Sequence, residues 1–165
     1  MSLKLGLGIA AATLVVDQLS KWWILDGLRL PEIGRLPLLD FGSFGLQFAM
    51  VWNRGVTFGL LAGDAPWHRL LLALLALAVV GFLVHWLRRA DNRLTVVALG
   101  AVIGGAIGNV IDRLRFGAVV DFIDTWAFGW HWYVFNIADA GIVLGVIALM
   151  ADALFRPKQT GKEAA

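Results

Sequence analysis

Five aspartates stand in or beside long apolar stretches: Asp17, Asp112, Asp121, Asp124 and Asp139. A carboxylate inside a bilayer costs roughly 2.5–3.5 kcal/mol at mid-helix on insertion scales, so each needs a partner or a task. Few other groups could do chemistry. The chain has no cysteine, which excludes disulfides, thiolate catalysis and cysteine-ligated metals. Its only serines are Ser2, Ser20 and Ser43, none with a histidine at motif spacing, and His68, His85 and His131 form no HExxH pair for zinc. Carboxylate chemistry remains. Of two carboxyls sharing one proton, the ionised one takes a proton from water. The protonated one hydrogen-bonds a carbonyl and later protonates the leaving amine. Like charge and low dielectric keep such a pair singly protonated.

An Asn-x-x-Asp pattern occurs twice, at Asn109–Asp112 and Asn136–Asp139. Spacing of three places each Asn on the same helical face as its Asp, where the amide can orient the carboxylate. Spacing alone pairs Asp112 with Asp139. Arg113, however, adjoins Asp112, and a neighbouring cation suits a structural ion pair better than a shared proton. Asp121 has no adjacent base and lies among Val119, Val120 and Phe122. Asp124 reads as a solvated loop acid, and Asp17 as a structural partner for a base such as Lys21.

The elements that position these groups are set by composition. Of 165 residues, 59% are hydrophobic and 16% charged, and mean hydropathy is +0.77. Soluble domains run at about 45–50% and about 25%, so lipid is the expected solvent and disorder is excluded. A net charge of +2 gives no argument for nucleic acid. Apolar runs long enough to cross a bilayer cover Leu5–Leu25, Leu70–Leu87, Leu94–Ile111 and Tyr133–Ala151. Backbone groups in lipid must be satisfied internally, so these are expected to be helices. The first is expected to be a retained helix: Asp17 and Lys21 interrupt it, and no clean cleavage site follows. Trp22, Trp23, Trp67, Trp86, Trp126, Trp130 and Trp132 fall near span ends, as an aromatic belt would.

Lys4, Arg88, Arg89, Arg93, Arg156, Lys158 and Lys162 crowd short segments on one side, while the opposing arginines are spread over long loops. Positive-inside reasoning puts both termini in the cytoplasm and segments 26–69 and 112–132 outside. At a rise of about 1.5 Å per residue, Asp17 then lies about 18 Å along the first helix, and Asp139 about 9 Å below the outer end of the fourth. The five aspartates converge near the outer interface, and the inner halves of the spans so bounded hold no acid. A transporter or channel using intramembrane aspartates, the alternative function, usually needs polar groups near the midplane and a route to both sides. A site open to one side fits an enzyme better. Gly100, Gly104 and Gly108, like Gly141 and Gly145, recur every four residues, which lets helices approach closely. Leu46–Asn53 carries a large apolar residue at every second place, the period of a short strand. The expected architecture is an all-α membrane protein: four transmembrane helices with a small extracytoplasmic β cradle. Residues 1–155 form a single domain, including outer loop 26–69 with short strands, and 156–165 form a polar cytoplasmic tail.

Five segments resemble bacterial lipoprotein signal peptidase (signal peptidase II): Asp17–Lys21, Asn53–Gly59, Gly104–Arg113, Val119–Phe122 and Phe135–Asp139. The resemblance covers almost the whole chain, in order. One departure is Val56-Thr57, where the family pattern has two alanines. The resemblance implies an aspartic endopeptidase of the bacterial cytoplasmic membrane that cuts prolipoproteins just before a diacylglyceryl-modified cysteine. It implies Asp121 and Asp139 as the catalytic dyad, and Asn53, Asn109, Arg113 and Asn136 as substrate-binding residues that also hold the dyad. Asp17, Lys21 and Asp112 would be supporting. No metal or other cofactor is expected. The expected partners are the prolipoprotein substrate and membrane lipid, without nucleic acid, and the protein is expected to act as a monomer with its site towards the outer face.

Overall fold

The computed structural model describes residues 2–55 and 66–155. Chain order is α1 (Ser2–Trp22), a π-helical turn (Trp23–Gly27), a one-turn α2 (Leu30–Ile33), β1 (Arg35–Asp40) and β2 (Phe44–Asn53). Then come α3 (Pro66–Leu87), α4 (Arg93–Phe116), β3 (Val119–Ala127), β4 (Trp130–His131) and α5 (Ile137–Phe155). Among the described residues, four helices, Leu3–Gly27, Trp67–Leu87, Arg93–Phe116 and Ile137–Phe155, are long and apolar enough to cross a membrane. Val56-Thr57, Gly59 and the tail 156–165 lie outside the described residues.

α4 is the central helix, and its glycines make it so. A Cβ on Gly100 would stand 2.5 Å from the Gly6 carbonyl of α1. Cβ atoms on Gly104 and Gly105 would collide with the carbonyls of Ala10 and Ala138. From α5, Gly141 meets Thr13 and Gly145 meets Val102. Backbone thus packs on backbone where lipid supplies no hydrophobic drive between helices. The buried core centres on Leu83 and Leu87 of α3, Ala10 of α1, and Val96, Leu99, Val102 and Ile103 of α4. The Asn92 side chain caps α4 by accepting from Thr95 N–H at 2.7 Å, and Gly117, at φ +75°, ends it.

The protein is mostly helical, yet it is not all-α. An antiparallel sheet in the order β1-β2-β3-β4 sits at one end of the bundle. Ile24, Leu30, Val120 and Phe122 form a second buried cluster, with Phe48 and Met50 half-buried against it. The alternation at 46–53 does become a strand, although its buried positions are Gln47 and Ala49. β3 was expected to be loop. Its Val-Val-Asp-Phe-Ile-Asp-Thr-Trp run is β-branched and aromatic, the composition that suits a pleated, half-buried surface. One extra residue on β2 bulges the ladder between Phe48 and Val51, which reverses which face the following side chains occupy.

The fourth span differs from expectation at both ends. It begins at Ile137, because the Phe135 backbone pairs with Ile123 of β3 instead of joining a helix. Asp139 therefore stands in the first turn of α5, not deep along it. The helix also runs on to Phe155 and so contains an acid, Asp152, at the end expected to be cytoplasmic. Asp152 accepts hydrogen bonds from Asn92 at 2.9 Å and Thr95 at 2.8 Å, which ties α5 to the start of α4.

Candidate active site

Asn136 organises the site. The backbone bridge between Phe135 and Ile123 delivers it beside β3, and it is fully buried. Its side-chain oxygen accepts from Asp139 N–H at 2.9 Å, while the Asp139 carboxylate accepts from Asn136 N–H at 3.4 Å. This reciprocal arrangement is a capping box, with Asp in place of the usual Glu or Gln. The Asn-x-x-Asp spacing at 136–139 thus builds a helix start. Its amide nitrogen meanwhile donates to Asp121 Oδ1 at 2.6 Å and approaches the Val120 carbonyl and Asn109 Oδ1, each at 3.2 Å. One asparagine therefore touches both Asp121 and Asp139.

Asp121 is 1% exposed. Its second oxygen accepts from Asn53 Nδ2 at 2.9 Å. The β2 bulge turns Asn53 towards it, and Asn53 in turn accepts from Gly55 N–H at 3.1 Å. Burial pushes the Asp121 carboxyl up to about 7, and the nearby Asp139 charge pushes the same way against the hydrogen bonds from Asn53 and Asn136. Asp121 thus carries a proton for much of the time near neutrality. Asp139 is only half-buried, and Asn109 Nδ2 donates to its Oδ1 at 2.8 Å. Arg113 flanks the pair, donating to the carbonyls of Asn109 at 3.3 Å and Gly55 at 3.1 Å. Its guanidinium feels the charges of Asp139, Asp121 and Asp112.

Behind these residues lies a second polar layer. Lys21, 2% exposed, donates to Asp17 at 2.9 Å, Asp112 at 2.7 Å and Asn109 Oδ1 at 3.1 Å. Asp17 accepts from Ala138 N–H at 2.9 Å, satisfying an orphan donor of the α5 N-terminus. Asp112 accepts from Val120 N–H at 3.1 Å, pinning the start of β3. Gln18 bridges Asp17 at 3.2 Å and Asp112 at 3.1 Å. Gly108 has no side chain to keep the Asp17 carboxylate away from α4. Among the described residues, no group of three or more His, Cys, Asp or Glu side chains is arranged to hold a metal ion.

A water-accessible carboxylate beside a buried, proton-bearing one is the equipment for general acid–base hydrolysis. The family model described as Signal peptidase (SPase) II matches residues 9–155. The chain belongs to the signal peptidase II family. It is 45% identical to the lipoprotein signal peptidase of Methylobacterium sp. (strain 4-46), over 93% of this chain and 90% of that one. It is 47% identical to the lipoprotein signal peptidase of Caulobacter vibrioides, over 88% of this chain and 83% of that one. A solved bacterial membrane enzyme, determined by the in meso method at 2.3 Å resolution, superposes with TM-score 0.79 at 28% identity. The match covers 97% of this chain and 93% of that one.

The structure brings together eight of the nine residues singled out in this signal peptidase II chain by direct hydrogen bonds or ion pairs: Asp17, Lys21, Asn53, Asn109, Asp112, Asp121, Asn136 and Asp139. The ninth, Arg113, joins them through the Asn109 carbonyl. Asp112 pairs with a lysine of another helix, not with an arginine. Asp124 departs from its expected role as a solvated acid. It is 4% exposed, accepts from Gln47 at 2.7 Å, and lies 2.9 Å from His131 Nδ1. Its partners come from β2 and β4, and no sequence spacing announces a contact made across a sheet. Gln18 was also missed. Its place beside Asp17 and near Lys21 was the available signal.

Proposed function

We propose that this chain is an aspartic endopeptidase that removes signal peptides from diacylglyceryl-modified prolipoproteins, cleaving just before the lipidated cysteine, with Asp121 and Asp139 as its dyad. The observation that carries the proposal is Asn136, which bonds both residues of the dyad at once. Asp139, ionised and half-exposed, takes a proton from water. The resulting hydroxide attacks the scissile carbonyl carbon. Protonated Asp121 hydrogen-bonds the carbonyl oxygen and stabilises the charge that develops there. A proton from the dyad then passes to the leaving nitrogen as the C–N bond breaks. The proton count belongs to the pair. Asn53, Asn109, Arg113 and Asn136 hold the dyad, and the outward-facing capacity of Asn53 and Arg113 suits the substrate backbone. Asp17, Lys21 and Asp112 support from behind.

The site faces outward in this reading, both termini are cytoplasmic, and the sheet lies as a cradle at the outer headgroups. A lipid-anchored cysteine presents its peptide bond at that level, with its acyl chains left in the bilayer and water arriving from outside. The sheet tip exposes Phe41, Phe44, Phe128 and Trp130, side chains at home in an interfacial zone. The protein acts as a monomer, since each proposed role is filled within one chain. The test is purified enzyme given a diacylglyceryl-modified precursor and its unlipidated twin, with products identified by mass. The proposal expects one cut, before the modified cysteine, in the lipidated precursor alone. Equal cleavage of both, or cleavage elsewhere, would refute it.

A further inference from the structure

We infer that Lys21 is a positioning residue for the hydrolytic carboxylate, acting by fixing which end of the Asn109 amide faces Asp139. The inference rests on the reading of Asp139 as half of the dyad. An asparagine amide offers an acceptor at one end and two donors at the other, and an ammonium offers three donors and no acceptor. Lys21 Nζ stands 3.1 Å from Asn109 Oδ1, so the amide oxygen must face the lysine. Its NH2 end is then turned to Asp139, 2.8 Å away. Asn136 Nδ2 approaches the same Oδ1 at 3.2 Å and reinforces this orientation. With the amide reversed, an oxygen would confront the Asp139 carboxylate and an NH2 would confront the ammonium. Lys21 has no freedom to leave, because its other two donors are taken by Asp17 and Asp112.

The charged groups around this relay come from several elements: Asp17 of α1, Asp112 and Arg113 of α4, Asp121 of β3 and Asp139 of α5, with Asp26 and Arg115 lining the same cavity as Lys21. A test must therefore hold charge constant while it removes the donor. Asp17→Asn combined with Lys21→Met or Lys21→Gln does so: both double variants delete one charge of each sign, and only glutamine keeps an N–H. Wild type, whose net charge is that of both double variants, is the reference, and the amide oxygen that Asp17→Asn introduces can still accept from Ala138 N–H. In cleavage of a diacylglyceryl-modified precursor, the methionine variant should lose at least about tenfold in kcat relative to the reference. That is part of the roughly 10²–10⁴-fold that positioned acid–base groups contribute. The acid limb of its pH profile should move to higher pH, and the glutamine variant should recover part of both. Equal profiles in all three proteins would overturn the inference. So would equal impairment of the methionine and glutamine variants, which would mean that Lys21 acts through charge or packing. Asp121→Asn run beside them separates the two readings: if it keeps turnover the dyad itself is wrong, whereas if it is inactive and the methionine variant matches the reference, only the role of Lys21 falls.

Discussion

At the scale of single residues, the site works by matching donors to carboxylate oxygens in a place with little water. Asp121 has its ionisation raised by burial and by Asp139, and lowered by the amides of Asn53 and Asn136. Removing one amide should therefore raise it further. In Asn53→Ala, the alkaline limb of kcat, where the acid loses its proton, should move upward from its wild-type position. A limb that stays put or falls would contradict the assignment. Stability follows the same group. A carboxyl at 3.8 unfolded and about 7 folded binds more protons in the folded state between those values, so its contribution falls as pH rises from about 4 to about 7. The melting temperature of Asp121→Asn, measured against wild type, should improve steadily across that interval and level off above it. Much of this was readable in advance: the Asn-x-x-Asp spacing flagged Asn136 and Asp139, and the lack of a base beside Asp121 set it apart from Asp112. The capping box was hidden, because it depends on where the helix begins.

Elements matter here through their ends and their glycines. α5 starts on Asn136 and Asp139 and receives a third cap from Asp17 on another helix. Cap loss typically costs about 1 kcal/mol. Asp17→Ala should cost more than that in detergent unfolding, since it also strips Lys21 of a buried partner, whereas Asp17→Asn should cost less than Asp17→Ala. Equal loss in the two would remove the capping argument. Close helix contact gives a sharper contrast. Gly104→Ala must push Cβ into the Ala10 carbonyl, while Gly8→Ala meets nothing within 4 Å. The first should destabilise by about 1–3 kcal/mol as an overpacked core does, and the second should be neutral or slightly stabilising, by up to about 1 kcal/mol, as for Gly→Ala inside a helix. Four-residue glycine spacing made the α4 contacts legible. β3 was not legible, because its short apolar run, broken by two aspartates, reads equally well as an interfacial loop, and only pairing with β2 decides the matter.

For the whole molecule, orientation decides which side of the membrane the site serves. The polar layers lie at the end of the bundle that carries the sheet, and the Asp152 latch lies at the other. The chain has no cysteine, so single cysteines report sidedness cleanly. Ser43→Cys, on the exposed β1–β2 turn, should react with a membrane-impermeant maleimide added to intact cells. Asp91→Cys, exposed between α3 and α4, should react only after the membrane is opened. The reverse pattern would invert the topology and put the site on the wrong side for a lipidated precursor whose scissile bond lies at the outer face. The basic residues crowded at 88–93 carry the expected sidedness that this labelling tests, whereas nothing in the spacing of the loop residues told how the sheet would pack beside Asp121.

What remains is whether Asp121 and Asp139 share one proton and together hydrolyse the peptide bond. The most direct measurement is kcat for purified Asp121→Asn, Asp139→Asn and Asp112→Asn on one diacylglyceryl-modified precursor, with thermal unfolding recorded for each. Each of the first two should fall by at least about 10³-fold, within the range that acid–base groups supply, while still unfolding cooperatively. Asp112→Asn should lose stability and retain measurable turnover. Turnover kept in Asp121→Asn but lost in a folded Asp112→Asn would show that the working pair is a different one.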